Sequence, residues 1–109
     1  MLPAAEHAYI DPAKVRDYLL SPVHPVGRFK AVVFQALGYK TGEWEKLRDD
    51  LLTLAGTVEA IPGQTSNFGQ KYEVSGTLSG PNGREAKFTC VWLEPIEGGA
   101  PRFITAFPG

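Results

Sequence analysis

The sequence predicts an α+β fold, with three N-terminal helices packed on a C-terminal antiparallel β-sheet of three to four strands. Three observations predict it. Apolar residues recur at helical spacing in the first half of the chain. Beyond Gly56 the pattern changes to the alternation of half-buried strands. The links between those later segments are short, and short links pair neighbouring strands antiparallel.

Residues 1–10 form a lead-in, with Ala8, Tyr9 and Ile10 a short extended piece. Asp11-Pro12 starts the first helix, because Asp accepts from free amides at the N-cap and Pro at the first position gives up no bond. Val15, Tyr18, Leu19 and Leu20 share its apolar face, and Ser21-Pro22 breaks it. His24-Pro25 opens the second helix, which should pack Phe29, Val33, Phe34 and Leu37 on the sheet. Gly38 suits the left-handed residue past its end. The third helix places Trp44, Leu47, Leu51, Leu52 and Leu54 on one stripe and ends at Gly56.

Residues 58–61 predict a short strand and 62–68 a polar loop. In 70–78, Tyr72, Val74 and Leu78 alternate with polar residues. Gly80-Pro-Asn-Gly83 has turn chemistry, and 84–93 is the return strand. It carries Ala86, Phe88, Cys90 and Trp92 on one face, with Val91 and Leu93 among polar residues on the other. That mixture predicts a central strand, helix-covered on one side and partly shielded on the other, where a shallow cleft has room to form. Residues 101–107 form the last strand.

At 109 residues the chain fits one domain, 1–109. A domain of this size buries roughly two-thirds of the surface its unfolded chain exposes, enough for a core without disulfides or a structural metal. The net charge of −1 argues against a general nucleic-acid coat and leaves room for a local basic cleft. The single cysteine, Cys90, allows no internal disulfide and suits a reducing compartment. It is expected to be buried. No leader pattern opens the sequence and no apolar run reaches the length of a membrane span, so the expected setting is cytoplasmic, or the detached end of a larger chain.

Metal-ligand spacing, a phosphate-binding loop and a Gly-x-Ser-x-Gly elbow are all absent from the sequence, so no metal and no cofactor is expected. The remaining candidates are cationic. His24, Arg28 and Lys30 lie where the second helix begins and its free amides favour anions. Lys71, Arg84, Lys87 and Arg102 lie on the sheet. Histidine moves protons near neutral pH, and a cation stabilises charge on a transferring phosphoryl group. Each residue taken singly also has a plainer role: His24 closing a turn, Arg28 and Lys30 on a solvated helix face, Arg84 flanking a turn, Trp92 in the core.

Several segments together resemble a known family: Asp11-Pro-Ala-Lys14, Asp17-Tyr-Leu-Leu-Ser-Pro22, His24-Pro-Val-Gly-Arg-Phe-Lys30, Leu37-Gly-Tyr39, Phe68-Gly-Gln-Lys-Tyr72, Gly80-Pro-Asn-Gly-Arg84, Val91-Trp92 and Pro101-Arg-Phe-Ile-Thr-Ala-Phe-Pro108. It is a bacterial family of unknown function, found as short stand-alone proteins and as tail domains of large secreted toxins or adhesins. The layout also resembles the barnase, EndoU, colicin and RelE-like ribonuclease group. Colicin D-like domains in that group use Lys and His from a helical segment with Ser-x-Trp on a strand. Here the helical segment offers His24 and Lys30 and the strand offers Cys90-Val-Trp92, a departure at Cys90.

These resemblances imply a toxin-type, metal-independent endoribonuclease acting by attack of the ribose 2′-hydroxyl. It would be cytoplasmic or delivered as the tail of a larger toxin, with RNA and an antitoxin or immunity protein as partners and no membrane. His24, Lys30 and Arg84 are the expected catalytic residues, and Arg28, Trp92 and Thr105 the expected substrate contacts. If His24, Lys30 and Arg84 lie more than about 15 Å apart, too far for their side chains to share one phosphate, the enzyme reading fails. The alternative is a non-catalytic interaction module, either a toxin-associated partner or an accessory domain of a larger phage or surface protein.

Overall fold

Asp11 accepts from the Ala13 amide through Oδ1 at 3.0 Å, and Pro12 takes the first helical position. Helix α1 (Pro12–Lys14) then widens into a π-helical turn over Val15–Leu19. Val15 and Leu19 are fully buried, while Tyr18, expected beside them, is half-buried and faces a cavity. The Ser21 hydroxyl accepts from the Val23 and His24 amides at 3.3 and 3.1 Å, which turns the chain toward the next helix. A computed structural model describes residues 2–109; Met1, the start of the expected lead-in, lies outside them.

Helix α2 (Gly27–Ala36) starts two residues beyond Pro25. Its buried face is Gly27, Ala31 and Phe34, continued by Leu37. Phe34, Leu37 and, in part, Val33 pack as expected, whereas Phe29 is 66% exposed, which corrects its place on that face. At about 100° per residue, Phe29 lies nearly opposite Gly27. Two small residues mark the contact row because the helix backbone approaches its neighbours closely, and a search for large apolar residues overlooks that row. Phe34 stacks on Phe88 with ring centroids 4.7 Å apart. Gly38 takes φ +95°, the left-handed value expected just past the helix end.

Helix α3 (Trp44–Thr57) buries Leu47, Leu51, Leu54 and Ala55 and runs one residue past Gly56. The Tyr39 hydroxyl donates to Asp50 Oδ2 at 2.6 Å, tying the loop after α2 to α3.

The sheet is an antiparallel meander in the order β1-β2-β3-β4. β1 (Ala60–Ser66) extends through the segment expected to be a loop. It is an edge strand with a bulge between Pro62 and Thr65 and an exposed surface, so its sequence lacks strand alternation. β2 (Gly69–Ser79) and β3 (Glu85–Pro95) pair through the turn at 80–83, with Val74 opposite Cys90. Phe88, Cys90 and Trp92 face the helices and are fully buried. On the other face Thr89 is buried, bonded to Ser75 at 2.8 Å and to the Gly109 carbonyl at 2.7 Å, which supplies the expected partial shield.

β4 (Arg102–Pro108) is the second edge strand. Tyr9 from the lead-in pairs with Arg102 in parallel and covers one end of that edge. Lys30 covers the other, donating from Nζ to the Ala106 carbonyl at 2.8 Å.

Two outcomes test this packing. Phe34→Ala should cost about 3–5 kcal/mol in denaturant unfolding, the range for a buried Phe. Phe29→Ala should change stability by no more than about 0.5 kcal/mol, as at exposed positions generally. Equal losses would show that the helix face is misassigned. Burial pushes the Cys90 thiol up to about 12, so the folded protein should react slowly with thiol reagents at neutral pH and rapidly once unfolded.

Candidate functional site

The α1–π-turn segment, the start of α2 and the bulged edge of β4 enclose a cavity of about 670 Å³ that opens to solvent. Three of the residues singled out in the sequence line it: His24, Lys30 and Thr105. Lys14 and Tyr18 join them.

The turn before α2 sets His24. Its Nδ1 accepts from the Val26 amide at 3.0 Å and the Gly27 amide at 2.9 Å, so the ring closes the turn and satisfies the first donors of the helix. With Nδ1 an acceptor, the neutral ring carries its hydrogen on Nε2. The ring packs edge-on against Tyr18, with centroids 5.0 Å apart and an interplanar angle of 78°. The expected turn-closing role and the cavity-lining position therefore coexist in one side chain.

Lys30 reaches across from α2 to β4. Nζ donates to Thr105 Oγ1 and to the Ala106 carbonyl, both at 2.8 Å. An ammonium has three donors, so one remains for a ligand. A register shift between Val91 and Trp92 places the bulge at Ile104. Thr105 takes part in the inner network through its hydroxyl, which also lies 3.1 Å from the Tyr18 hydroxyl.

The charges around the cavity are unequal in their engagements. Asp11 is occupied as the helix cap, and Asp17 pairs with Arg16 at 2.9 Å. Hydrogen bonding to Arg16 holds Asp17 below the usual carboxylate range. Neither Lys14 nor Lys30 forms a salt bridge among the described residues. The cavity lining thus carries two lysines without a carboxylate partner beside two carboxylates, one capping a helix through a single oxygen and one paired with Arg16. A smaller cavity of about 380 Å³ shares Asp11, Lys14 and Ile104 with it and adds Tyr9 and Arg102.

The other candidates lie elsewhere. Arg84 follows the turn at 80–83, where Asn82 bonds to the carbonyls of Ala36 and Leu37 at the C-terminal end of α2. His24 sits at the opposite end, so Arg84 is separated from it by a helix of about 15 Å at 1.5 Å per residue. The expected three-residue site is corrected accordingly: Arg84 is exposed and does not line the cavity. Arg28 is exposed with its guanidinium 4.8 Å from the Phe29 ring centroid, outside the cavity lining. Trp92 is fully buried against Phe103 and offers no free face for a base. Its indole N–H has no acceptor among the described residues. The shallow depression on the open sheet face is lined by Lys71, Glu73 and Val91 among others, and none of the expected site residues is there.

Sequence reasoning missed Lys14 and Tyr18. The available signal was the i, i+4 spacing of a cation and a phenol, which places the Lys14 ammonium 5.8 Å from the Tyr18 ring centroid. Among the described residues no three His, Cys, Asp or Glu side chains gather as a metal site. No described helix is long and apolar enough to cross a membrane.

One solved structure with this fold is a chain of a contact-dependent growth inhibition toxin–immunity protein complex from Klebsiella pneumoniae 342. The TM-score is 0.71 at 18% identity, covering 92% of this chain and 98% of that one. No curated protein matches the sequence. The matching family model spans residues 1–109, and the chain belongs to that family, described as a domain of unknown function (DUF6883).

Proposed function

We propose that this chain is a toxin-type domain that cleaves RNA without a metal, in the cavity between the π-helical turn, the start of α2 and β4. The observation that carries the reading is the convergence of His24, Lys30 and Thr105 on one open cavity whose carboxylates are otherwise engaged. The toxin class is supported by the shared fold with a chain of the Klebsiella complex. The partner that goes with that class is a dedicated immunity protein, and the setting is a domain delivered to its target cell.

The chemistry follows from what the cavity contains. RNA brings its own nucleophile, the 2′-hydroxyl beside each phosphate, and holding it in line makes the attack intramolecular. Lys14 and the free donor of Lys30 stabilise the charge that builds on the phosphate oxygens. Thr105 fixes Lys30 in place. His24 works on the side of the departing 5′-oxygen, offering it the Nε2–H that its two amide bonds leave available. Arg84 has no part in this site, so the ribonuclease reading that needed His24, Lys30 and Arg84 on one phosphate fails in that form, and the proposal stands on the cavity around His24 and Lys30 alone.

A second reading has one observation in its favour. Val23, Val26, Phe29 and Val32 are exposed along the start and outer side of α2, an apolar surface suited to a protein partner. A non-catalytic interaction module would use that surface alone.

Expression in bacteria separates the two. Wild type should slow growth and fragment RNA, and His24→Ala should restore both. Fragments should end in a 2′,3′-cyclic phosphate and a 5′-hydroxyl, DNA should stay intact, and a chelator should change nothing. Removing the Lys30 amine should lower the cleavage rate about 100- to 1,000-fold, the loss typical of one charge-stabilising donor. Equal growth with intact RNA in wild type and His24→Ala would favour the interaction module.

A further inference from the structure

Tyr18 lies on the helix face that the sequence assigns to the core, yet it is half-buried and lines the cavity, with its hydroxyl 3.1 Å from the hydroxyl of Thr105, another lining residue. It is carried by the π-helical turn Val15–Leu19, a conformation that recurs at functional sites. We propose that Tyr18 is the proton acceptor of the cleavage site, taking the hydrogen of the attacking ribose hydroxyl. The proposal rests on the ribonuclease reading and adds to it a catalytic residue of a different chemical type.

The hydrogen-bond geometry accommodates it, since either the Tyr18 or the Thr105 hydroxyl can donate in the bond between them. Lys30 Nζ lies 2.8 Å from Thr105 Oγ1, and an ammonium only donates. The Thr105 oxygen therefore accepts from Lys30 and has its own hydrogen free. The Tyr18 hydroxyl is 3.1 Å from that oxygen and is placed to receive it. A relay from Lys30 through Thr105 to Tyr18 favours a negative phenolate oxygen over a neutral phenol. The Lys30 and Lys14 ammonium groups also lie 5.5 and 5.8 Å from the ring centroid.

The titratable groups around the phenol come from α1, the π-helical turn, the turn before α2 and α2 itself. Lys14 belongs to α1, Lys30 to α2, and His24 to the turn before α2. The carboxylates of Asp11 and Asp17 also line the cavity, but the first caps a helix and the second is held by Arg16. β4 contributes Ile104 and Thr105, neither of which titrates. Burial opposes ionisation of Tyr18, but the Thr105 hydrogen bond, Lys30 and then Lys14 outweigh it and hold the phenol below its ordinary range.

The Tyr18 phenolate takes the 2′-hydroxyl hydrogen while that oxygen's electron pair forms the bond to phosphorus. The bond from phosphorus to the 5′-oxygen breaks. The departing oxygen, hydrogen-bonded by His24 Nε2–H, takes a proton from water at the cavity mouth. Tyr18 then returns its proton to water. Because the ionised phenol is the active form, the rate should rise with pH through the titration of Tyr18.

The test compares wild type and Tyr18→Phe, a change that keeps the ring, on bacterial total RNA across a pH series. A parallel ultraviolet titration follows phenolate formation in both proteins without RNA. Tyr18→Phe should keep the wild-type circular dichroism spectrum, cleave at least about 100-fold more slowly, as for loss of a general base, and lose the limb on which rate rises with pH. The titration should show one phenol ionising below the ordinary range in wild type and none in the variant. Wild-type cleavage by Tyr18→Phe, or identical titrations, would overturn the proposal and leave the ribonuclease reading standing. No cleavage of RNA by wild type would overturn both.

Discussion

Gly27 has no side chain where α2 meets the backbone of Tyr18, and a β-carbon there would overlap the Tyr18 carbonyl oxygen. The rest of the site depends on that contact. It seats the first turn of α2 directly on the π-helical turn, so that His24, three residues earlier, lies edge-on to the Tyr18 ring. Ala31 continues the same close row into the core. A larger residue at position 27 would lift the start of α2 and separate the histidine from the phenol, even with every cavity-lining side chain retained.

The second constraint is the unpaired edge of β4. An edge strand exposes carbonyls and amides that otherwise invite pairing with another chain. Tyr9 satisfies part of this edge through backbone bonds with Pro101 and Phe103 at 2.9 Å, and Lys30 takes the Ala106 carbonyl. The lysine therefore has two roles, closing the sheet edge and presenting a cation to the cavity. A long flexible side chain is normally costly to immobilise. Here two fixed acceptors on β4 hold it before any ligand arrives, which is the preorganisation that charge stabilisation requires.

Much of the fold was legible in the sequence. The Asp11-Pro12 start, Gly38, the turn at 80–83 and the alternation of 70–78 each encode their local geometry in residue type. The α2 face was legible in part: Phe34 and Leu37 are buried and Val33 packs on the core as expected, but Gly27 and Ala31 complete the contact row and Phe29 points to solvent. β1 was legible only at its start, where a short strand over 58–61 was expected, because both its surface and its outer edge are wet. At the site, His24 and Lys30 were legible as cations at a helix start, and Thr105 lay in a recognisable motif. Tyr18 was hidden because a half-buried tyrosine at a core position has the same spacing as a buried one. Arg84 and Trp92 were misplaced for opposite reasons: the turn holding Arg84 docks on the far end of α2, and the strand holding Trp92 is central, with that residue's face covered.

One ligand site is proposed on this molecule, and a binding measurement tests it most directly. An oligonucleotide built of 2′-deoxy sugars cannot be cleaved by 2′-hydroxyl attack and still presents the phosphates. Titrated into labelled protein and followed by nuclear magnetic resonance, it should shift and saturate the His24 and Tyr18 ring signals together with those of Lys30 and Thr105. The turn at 80–83 and Arg84 should be unmoved. Shifts centred on that turn or on the open sheet face, or no saturable shift at the four cavity residues, would contradict the account.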